Sequence, residues 1–457
     1  MLNRLRAFTD SIRSSLWFWP FLMTTVGIVL AQAMILLDQS TWIKRQLLLS
    51  KASDALGVAW LFGLGAEGAR TLLATIAGSM ISIAATVFSI TIVALSLAAG
   101  QLGPRLLRTF MRDRGTQLSL GMFIATFAFC IVVLGVVHGG DPATFVPSAS
   151  VTAALVLALG SLAVLIYFIH HVAKSIQAPE VIAVVGSDLD HAIEELFPLP
   201  LSASPKDDHL NAPPWANDAG GATVRSPKSG YVQHIDMDAL VKLATEADLI
   251  VGLARRPGDH VIAGTVLATI WPQTKLDDER SKCVCEAFGF GRVRTPVQDL
   301  QNLINQLVEI AQRALSPGIN DPSTAEACID RLASALGNLA GRQLQSGHVA
   351  DESGRTRLLV ARPDTFKSLL DAAFDPIRNY SDGSLQVGLK LAGAIAELAQ
   401  LVQGEEQRRA LRCQAEMIGR MSQALTESRD RQQLEAACHA TILALNAPAP
   451  PGHRGRS

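Results

Sequence analysis

The 457 residues are 49 % apolar and 18 % charged, and 40 Lys and Arg against 41 Asp and Glu leave a formal net charge of −1. That balance gives the chain no global attraction to nucleic acid, which is excluded as an expected partner. Apolar residues concentrate before about residue 172 and charged residues after it, so a membrane part followed by a soluble part is predicted.

Four stretches are long and uncharged enough to cross a bilayer, which takes roughly 20 apolar residues. They are residues 17–37, 71–99, 118–137 and 151–169, within a transmembrane domain of 1–171. The first follows Arg4, Arg6 and Arg13 and contains "AQA" at 31–33, features of a secretory signal. Its apolar run is too long for a signal core and carries Pro20 near its start, so a retained anchor is expected.

The second stretch carries a hydroxylated stripe. Thr75, Ser79, Ser82, Thr86, Ser89 and Ser96 recur at three-, four- and seven-residue spacing, with Val93 interrupting the run. Small residues at this spacing let membrane helices approach closely. The same stripe is also the surface that a permeation path would use, because no Asp, Glu, Lys or Arg falls inside any span. Both readings stay open at the level of sequence.

Arg105, Arg108, Arg112 and Arg114 fill the loop after the second span, whereas the loop after the third has no Lys or Arg. The positive-inside rule then puts the N-terminus, this basic loop and the C-terminal part in the cytoplasm, in a multi-pass cell (inner) membrane protein. The first loop, with Lys44, Arg45, Lys51 and Arg70, lies outside against that rule, and its apolar spacing suits an amphipathic surface helix. The arginine loop reads either as a topology determinant beside anionic headgroups or as a positive ring at the mouth of an anion path.

Residues 172–221 read as an exit helix followed by a linker rich in Pro, Ala, Asp and Gly. Short alternating runs broken by Ser-Gly, Pro-Gly-Asp and Ala-Gly-Thr turns predict a strand-rich unit at 222–297. "SPKSGYVQHI" and "RPGDHVIAGTVLATI" resemble the half-motifs of a lipoyl- or biotinyl-type barrel-sandwich. The lysine-bearing hairpin tip is missing, and a helix-like "DMDALVKLATE" takes the middle, so a packing or gating module without a cofactor is expected. Arg255 and Arg256 form either a site for an anionic ligand or an ordinary pair of exposed turn arginines.

The six cysteines form no pair of CxxC units, so free thiols and no metal site are expected. Cys283 and Cys285 read as alternating strand positions.

A helical domain is predicted over 298–446, with a tail at 447–457 that is polar and disordered. Leu300, Leu303, Ile304, Leu307, Ile310 and Ala311 share one helix face. That helix stops at "SPGINDPST", where Gly318 suits a left-handed turn, Asp321 a cap and Pro322 the first helical position. Ser323 with Glu326 offers an alternative capping box. Asn320 and Asp321 are also the candidate ligand-binding residues of this turn, although two oxygen donors fall short of a calcium set. "TRLLVARP" reads as one further strand before the last helices.

"RALSPGINDPSTA", "GRVRTPVQD", "RPGDHVIAGTVLA", "SLWFWP" and "QLGPRLLRTFMRDRGTQLSLGMFIATF" together resemble a bacterial family of predicted membrane proteins, domain of unknown function 2254. The resemblance covers nearly the whole chain and implies four spans in the cell membrane, with no activity attached. The family pattern carries Phe-Gly shortly after the Gln-Asp pair; here Asn302 and Leu303 follow Gln298 and Asp299, so a role for that pair does not carry over.

The expected fold is therefore an α-helical membrane protein of four transmembrane helices. A cytoplasmic α+β part completes it, with a small barrel-sandwich-like β unit and a helical bundle. No Ser-His-Asp set, HExxH, Walker loop or dinucleotide fingerprint occurs, and no enzyme is expected. Two functions remain: a homo-oligomeric channel whose second spans surround an axis, or a membrane-anchored sensor or scaffold that binds a partner through its soluble part.

Overall fold

The computed structural model describes residues 17–40, 65–103, 113–139, 145–197, 220–295, 298–342, 344, 347–381 and 383–447. Arg105, Arg108 and Arg112, most of the first loop, the linker after residue 197 and the tail after 447 lie outside them. The chain divides into two compact units, Met1–Glu180 and Val181–Ser457.

Four long apolar helices build the first unit: α1 (Phe18–Gln39), α2 (Ala66–Leu102), α3 (Arg114–Leu134) and α4 (Ser148–Ser175). Each is long and apolar enough to span a bilayer, and each contains most of one predicted stretch. At about 1.5 Å per residue, the 37 residues of α2 reach roughly 55 Å, well beyond a hydrocarbon core of about 30 Å. Helix α3 is the most buried and packs against the other three.

Hydrophobicity gives little attraction between helices in lipid, so close approach and polar contacts must hold this unit. A Cβ on Gly27 would lie 2.8 Å from the Ala125 carbonyl oxygen, which shows how near α1 and α3 come. Thr126 and Ser161 share a buried hydroxyl–hydroxyl bond of 3.1 Å between α3 and α4. Asp38, at the end of α1, accepts from the Ala149 and Ser150 backbone N–H groups and from the Ser150 hydroxyl, capping α4 from another helix.

The second unit joins two small sheets to a helical bundle. Its strands are β1 (Ala222–Arg225), β2 (Gly230–Ile235), β3 (Ile250–Leu253), β4 (His260–Val261), β5 (Val266–Trp271), β6 (Phe288–Gly291), β7 (His348–Ala350) and β8 (Thr356–Val360). One sheet has the order β1-β5-β3-β8-β7 and the other β4-β2-β6. All pairings are antiparallel except β3 with β8. The two sheets do not close into a barrel, so the barrel-sandwich resemblance holds for the turns and not for closure. Val232, Leu240, Val251, Leu267, Ile270, Val284 and Leu358 form the core between them.

The helix expected in mid-module is α6 (Met237–Glu246), capped by the Asp236 carboxylate. Cys283 and Cys285 do not sit on a strand; they lie on α7 (Asp278–Ala287). Asp277 caps that helix, and Asp278 and Glu279 favour its first turn. Those signals outweigh the apolar alternation of the cysteines.

Helix α8 (Leu300–Ala314) buries the predicted apolar face and turns into α9 (Pro322–Ala340). Helices α10 (Phe366–Tyr380), α11 (Leu385–Leu401), α12 (Glu405–Gly419) and α13 (Ser428–Asn446) complete the bundle. Helix α5 (Ala178–Leu196) is fixed to α9 by Asp190, which accepts from Arg331 and from the Asn338 amide. Arg331 passes so close to Gly186 that a Cβ there would collide with its side chain.

Candidate functional site

The hydroxyl stripe lies on the side of α2 away from its own unit. Leu73, Ile76, Ala77, Met80, Ala84 and Val87 are buried, whereas Thr75, Ser79, Ser82, Thr86, Ser89 and Ser96 are all exposed. With about 3.6 residues per turn, these two sets occupy nearly opposite faces. Ala74, Gly78 and Ala85 are exposed beside the hydroxyls, so the outward surface is small and polar from Thr75 to Ser89, beyond which Ile90, Val93 and Leu97 are exposed on it. Bulky Ile81, Phe88 and Ile92 are exposed along one flank of the stripe.

The hydroxyls of Thr75, Ser79, Ser82 and Thr86 donate to the carbonyls four residues earlier, at 2.7, 2.8, 2.9 and 3.0 Å. Each proton is thereby satisfied within the helix, and each oxygen keeps acceptor capacity turned outward. Arg114 is the first residue of α3 and is exposed. Just before it, Asp113 accepts from Thr116 and Gly115 backbone N–H groups and lies 2.8 Å from His171 Nε2.

A second concentration of polar side chains joins strand ends to helix starts in the second unit. β3 and β8 are parallel, so both leave the sheet at the same end, and each runs into an Arg-Pro turn. The two turns exchange partners. Arg256 donates to Asp364 at 2.8 Å, and Arg362 donates to Asp259 at 3.0 Å. Arg256 also donates to the Gln301 Oε1 on α8 at 2.9 Å.

Next to them Arg294 grips Asp299 through two bonds, of 2.8 and 2.9 Å. Asp299 caps α8 by accepting from the Asn302 N–H. It is only 4 % exposed, and burial pushes its carboxyl above the usual range although Arg294 pulls it down. Asp364 is raised for the same first cause, with Arg256 opposing. Gly258 closes the arrangement: its φ is +92°, and a Cβ would lie 2.3 Å from an Asp299 oxygen.

Gln298 has a definite task beside this junction. Its amide accepts from the Ile235 N–H at 2.9 Å and donates to the Ile235 carbonyl at 3.3 Å, replacing a missing strand partner. The Gln-Asp pair is thus an anchor between β2 and α8. Arg255 and Arg256 are occupied by protein groups, the former donating to the Val266 carbonyl. Sequence reasoning missed this junction. Its one visible signal was the near repeat of Arg-Pro-Gly-Asp at 256–259 and Arg-Pro-Asp at 362–364.

Asn320 and Asp321 lie at the other end of α8 and are not brought to the junction. Asp321 accepts from the Thr324 N–H and hydroxyl, and Pro322 is the first residue of α9, as expected. Ser323 and Glu326 do not form the alternative box. The left-handed residue is Asn320, at φ +48°, and not Gly318. Asn tolerates that region better than other side chains, which explains its place in the turn. Among the described residues no group of three or more His, Cys, Asp or Glu is placed to hold a metal ion.

Four apolar helices of spanning length, packed through small residues and interhelical caps, place the chain in the class of predicted membrane proteins with four candidate spans. The chain belongs to the family of predicted membrane proteins designated DUF2254, whose model matches residues 13–397. It is 30 % identical over 451 residues to an uncharacterized protein of Mycobacterium bovis, across 96 % of this chain and 83 % of that relative. Uncharacterized proteins from two strains of Mycobacterium tuberculosis match with the same identity and coverage. No solved structure matches the chain.

Proposed function

We propose that the protein is the subunit of a homo-oligomeric channel of the cell membrane, with the hydroxyl faces of α2 gathered around a common axis. The outward direction of the stripe carries this reading. If Thr75, Ser79, Ser82, Thr86 and Ser89 served to pack the chain's own helices, they would share the buried face of Leu73, Met80 and Ala84 and not lie opposite it. A small, hydroxylated surface suits close helix contact or water, whereas bulky side chains such as Ile81 and Phe88 suit lipid. In this reading the second unit lies in the cytoplasm, as the positive-inside rule expects, and acts as the gate.

A second reading is supported by the hydrogen bonds. Because each hydroxyl from Thr75 to Thr86 already donates to its own helix, the stripe can pack dry against a second copy. The protein is then an oligomeric anchor whose soluble part binds a partner.

Planar-bilayer recording of purified protein separates the two, with Ser82, Thr86 and Ser89 changed together to Leu. The channel reading expects a current that the triple change abolishes or strongly alters. A current untouched by the change removes the stripe from the pore. No current under any voltage, tension or lipid composition, from a protein shown to be oligomeric by mass in detergent, leaves the anchor.

A further inference from the structure

One end of the β4-β2-β6 sheet combines exposed aliphatic side chains with cations that have no carboxylate partner among the described residues. At this end Gly230 pairs with Val261 and Tyr231 with Gly291. Ile262, just past β4, is 62 % exposed, and Val293, two residues past β6, is 49 % exposed. Arg225, Lys228 and Arg292 are exposed in the neighbouring segments.

These groups are held in place. Arg225 donates to the Gly264 carbonyl at 2.8 Å, which fixes its guanidinium to the turn that carries Ile262. The Lys228 ammonium lies 5.5 Å from the centre of the Phe290 ring. The Ser229 hydroxyl accepts from the Ala263 N–H at 2.9 Å, tying two of the turns together. Among the described residues no salt bridge involves Arg225, Lys228 or Arg292. The stretches 225–235, 260–271 and 288–295 contain no Asp or Glu at all. In a chain of net charge −1, elsewhere rich in ion pairs, these three stretches stand apart, although α7, whose Cys285 thiol reaches the Arg225 carbonyl at 3.5 Å, carries Glu286 next to that cysteine.

We infer that this end of the sheet docks on an anionic lipid surface, with Ile262 and Val293 entering the headgroup layer and the three cations meeting lipid phosphates. Fixed cations beside short aliphatic side chains are the combination that binds reversibly to such a surface. The occupant follows from charge complementarity, and from the four spans of the same chain that keep the module within reach of a bilayer. The inference holds whether or not α2 lines a pore.

The test uses full-length protein in nanodiscs. Ile262→Cys, on a background with Cys283, Cys285 and Cys413 changed to Ser, carries an environment-sensitive dye; none of these cysteines forms a disulfide. The expected result is a blue-shifted emission in discs containing phosphatidylglycerol relative to phosphatidylcholine alone. About 1 M salt, at which the screening length falls to roughly 3 Å, should remove the shift. Arg225→Glu, Lys228→Glu and Arg292→Glu together should remove it as well, leaving the emission in neutral discs unchanged. Equal spectra in the two lipids overturn the inference, as does a shift that survives the charge reversal. A shift that follows the number of chains per disc in neutral lipid assigns the surface to a second copy and overturns it too.

Discussion

Replacing Arg294 by Leu should destabilise the second unit in a strongly pH-dependent way. Asp299 is 4 % exposed, and Arg294 supplies two of its hydrogen bonds. Without the guanidinium, the buried carboxylate keeps only backbone partners such as the Asn302 N–H. Breaking a buried pair from one side costs about 3–5 kcal/mol when the remaining charge is uncompensated. For a unit of this size each kcal/mol moves the melting midpoint by roughly 2–4 °C, so a loss on the order of 10 °C is expected near pH 8.

The sign of the pH dependence follows from burial, which already raises the Asp299 pKa in the folded protein. A raised carboxyl contributes stability at low pH and loses it as pH rises through the folded value. Removing Arg294 raises the folded value further. Protonation at lower pH should therefore recover part of the loss, because a neutral carboxyl needs no counter-charge. Thermal unfolding of the detergent-solubilised protein, followed at pH 5 and pH 8, reads this directly. Arg294→Leu with Asp299→Asn should be more stable at pH 8 than Arg294→Leu alone. An equal drop at both pH values, or no recovery in the double variant, would refute the argument.

Gly258→Ala should cost about 2–3 kcal/mol by thermal unfolding, since φ is +92° and the new methyl meets the Asp299 carboxylate. Asp321→Ala should cost about 1 kcal/mol through loss of the α9 cap. Hydrogen bonding from Thr324 holds the Asp321 carboxyl below its ordinary value, so the cap's contribution is present at neutral pH and fades as pH falls through that lowered value. Asn320→Gly should be near neutral and Asn320→Val clearly destabilising, because φ is +48°; the same melts compare them. Gly186→Leu should displace Arg331 and weaken the hold of α5 on α9, measurable as faster amide exchange in residues 181–196.

Hydropathy made the four long helices legible, because an uncharged apolar run in this chain has few alternatives to a membrane helix. Capping chemistry made the α8–α9 turn legible through Asp321 and Pro322. The buried face of α2 was not readable, since Ile76, Met80, Ile81 and Phe88 are equally apolar to a sequence scan, although only Ile76 and Met80 are buried. The stripe was visible, and its direction was not. Cys283–Cys285 failed because a short alternating window says strand while the acidic start at Asp277–Glu279 says helix. The exchange between Arg256–Asp364 and Arg362–Asp259 depends on a parallel pairing of distant strands, which no local pattern encodes.

That parallel pairing also governs the order in which the protein can be made. Val251 on β3 finds Leu358 on β8 about 100 residues later, with α8 and α9 in between. At roughly 5–20 residues per second, the flank of β3 waits about 5–20 s on the ribosome before its neighbour emerges. During that interval the donors and acceptors of β3 on that side are open to any other strand. A chain stopped near residue 297 keeps that bare edge permanently. Its fate is then decided by aggregation and chaperone capture before membrane assembly has been completed.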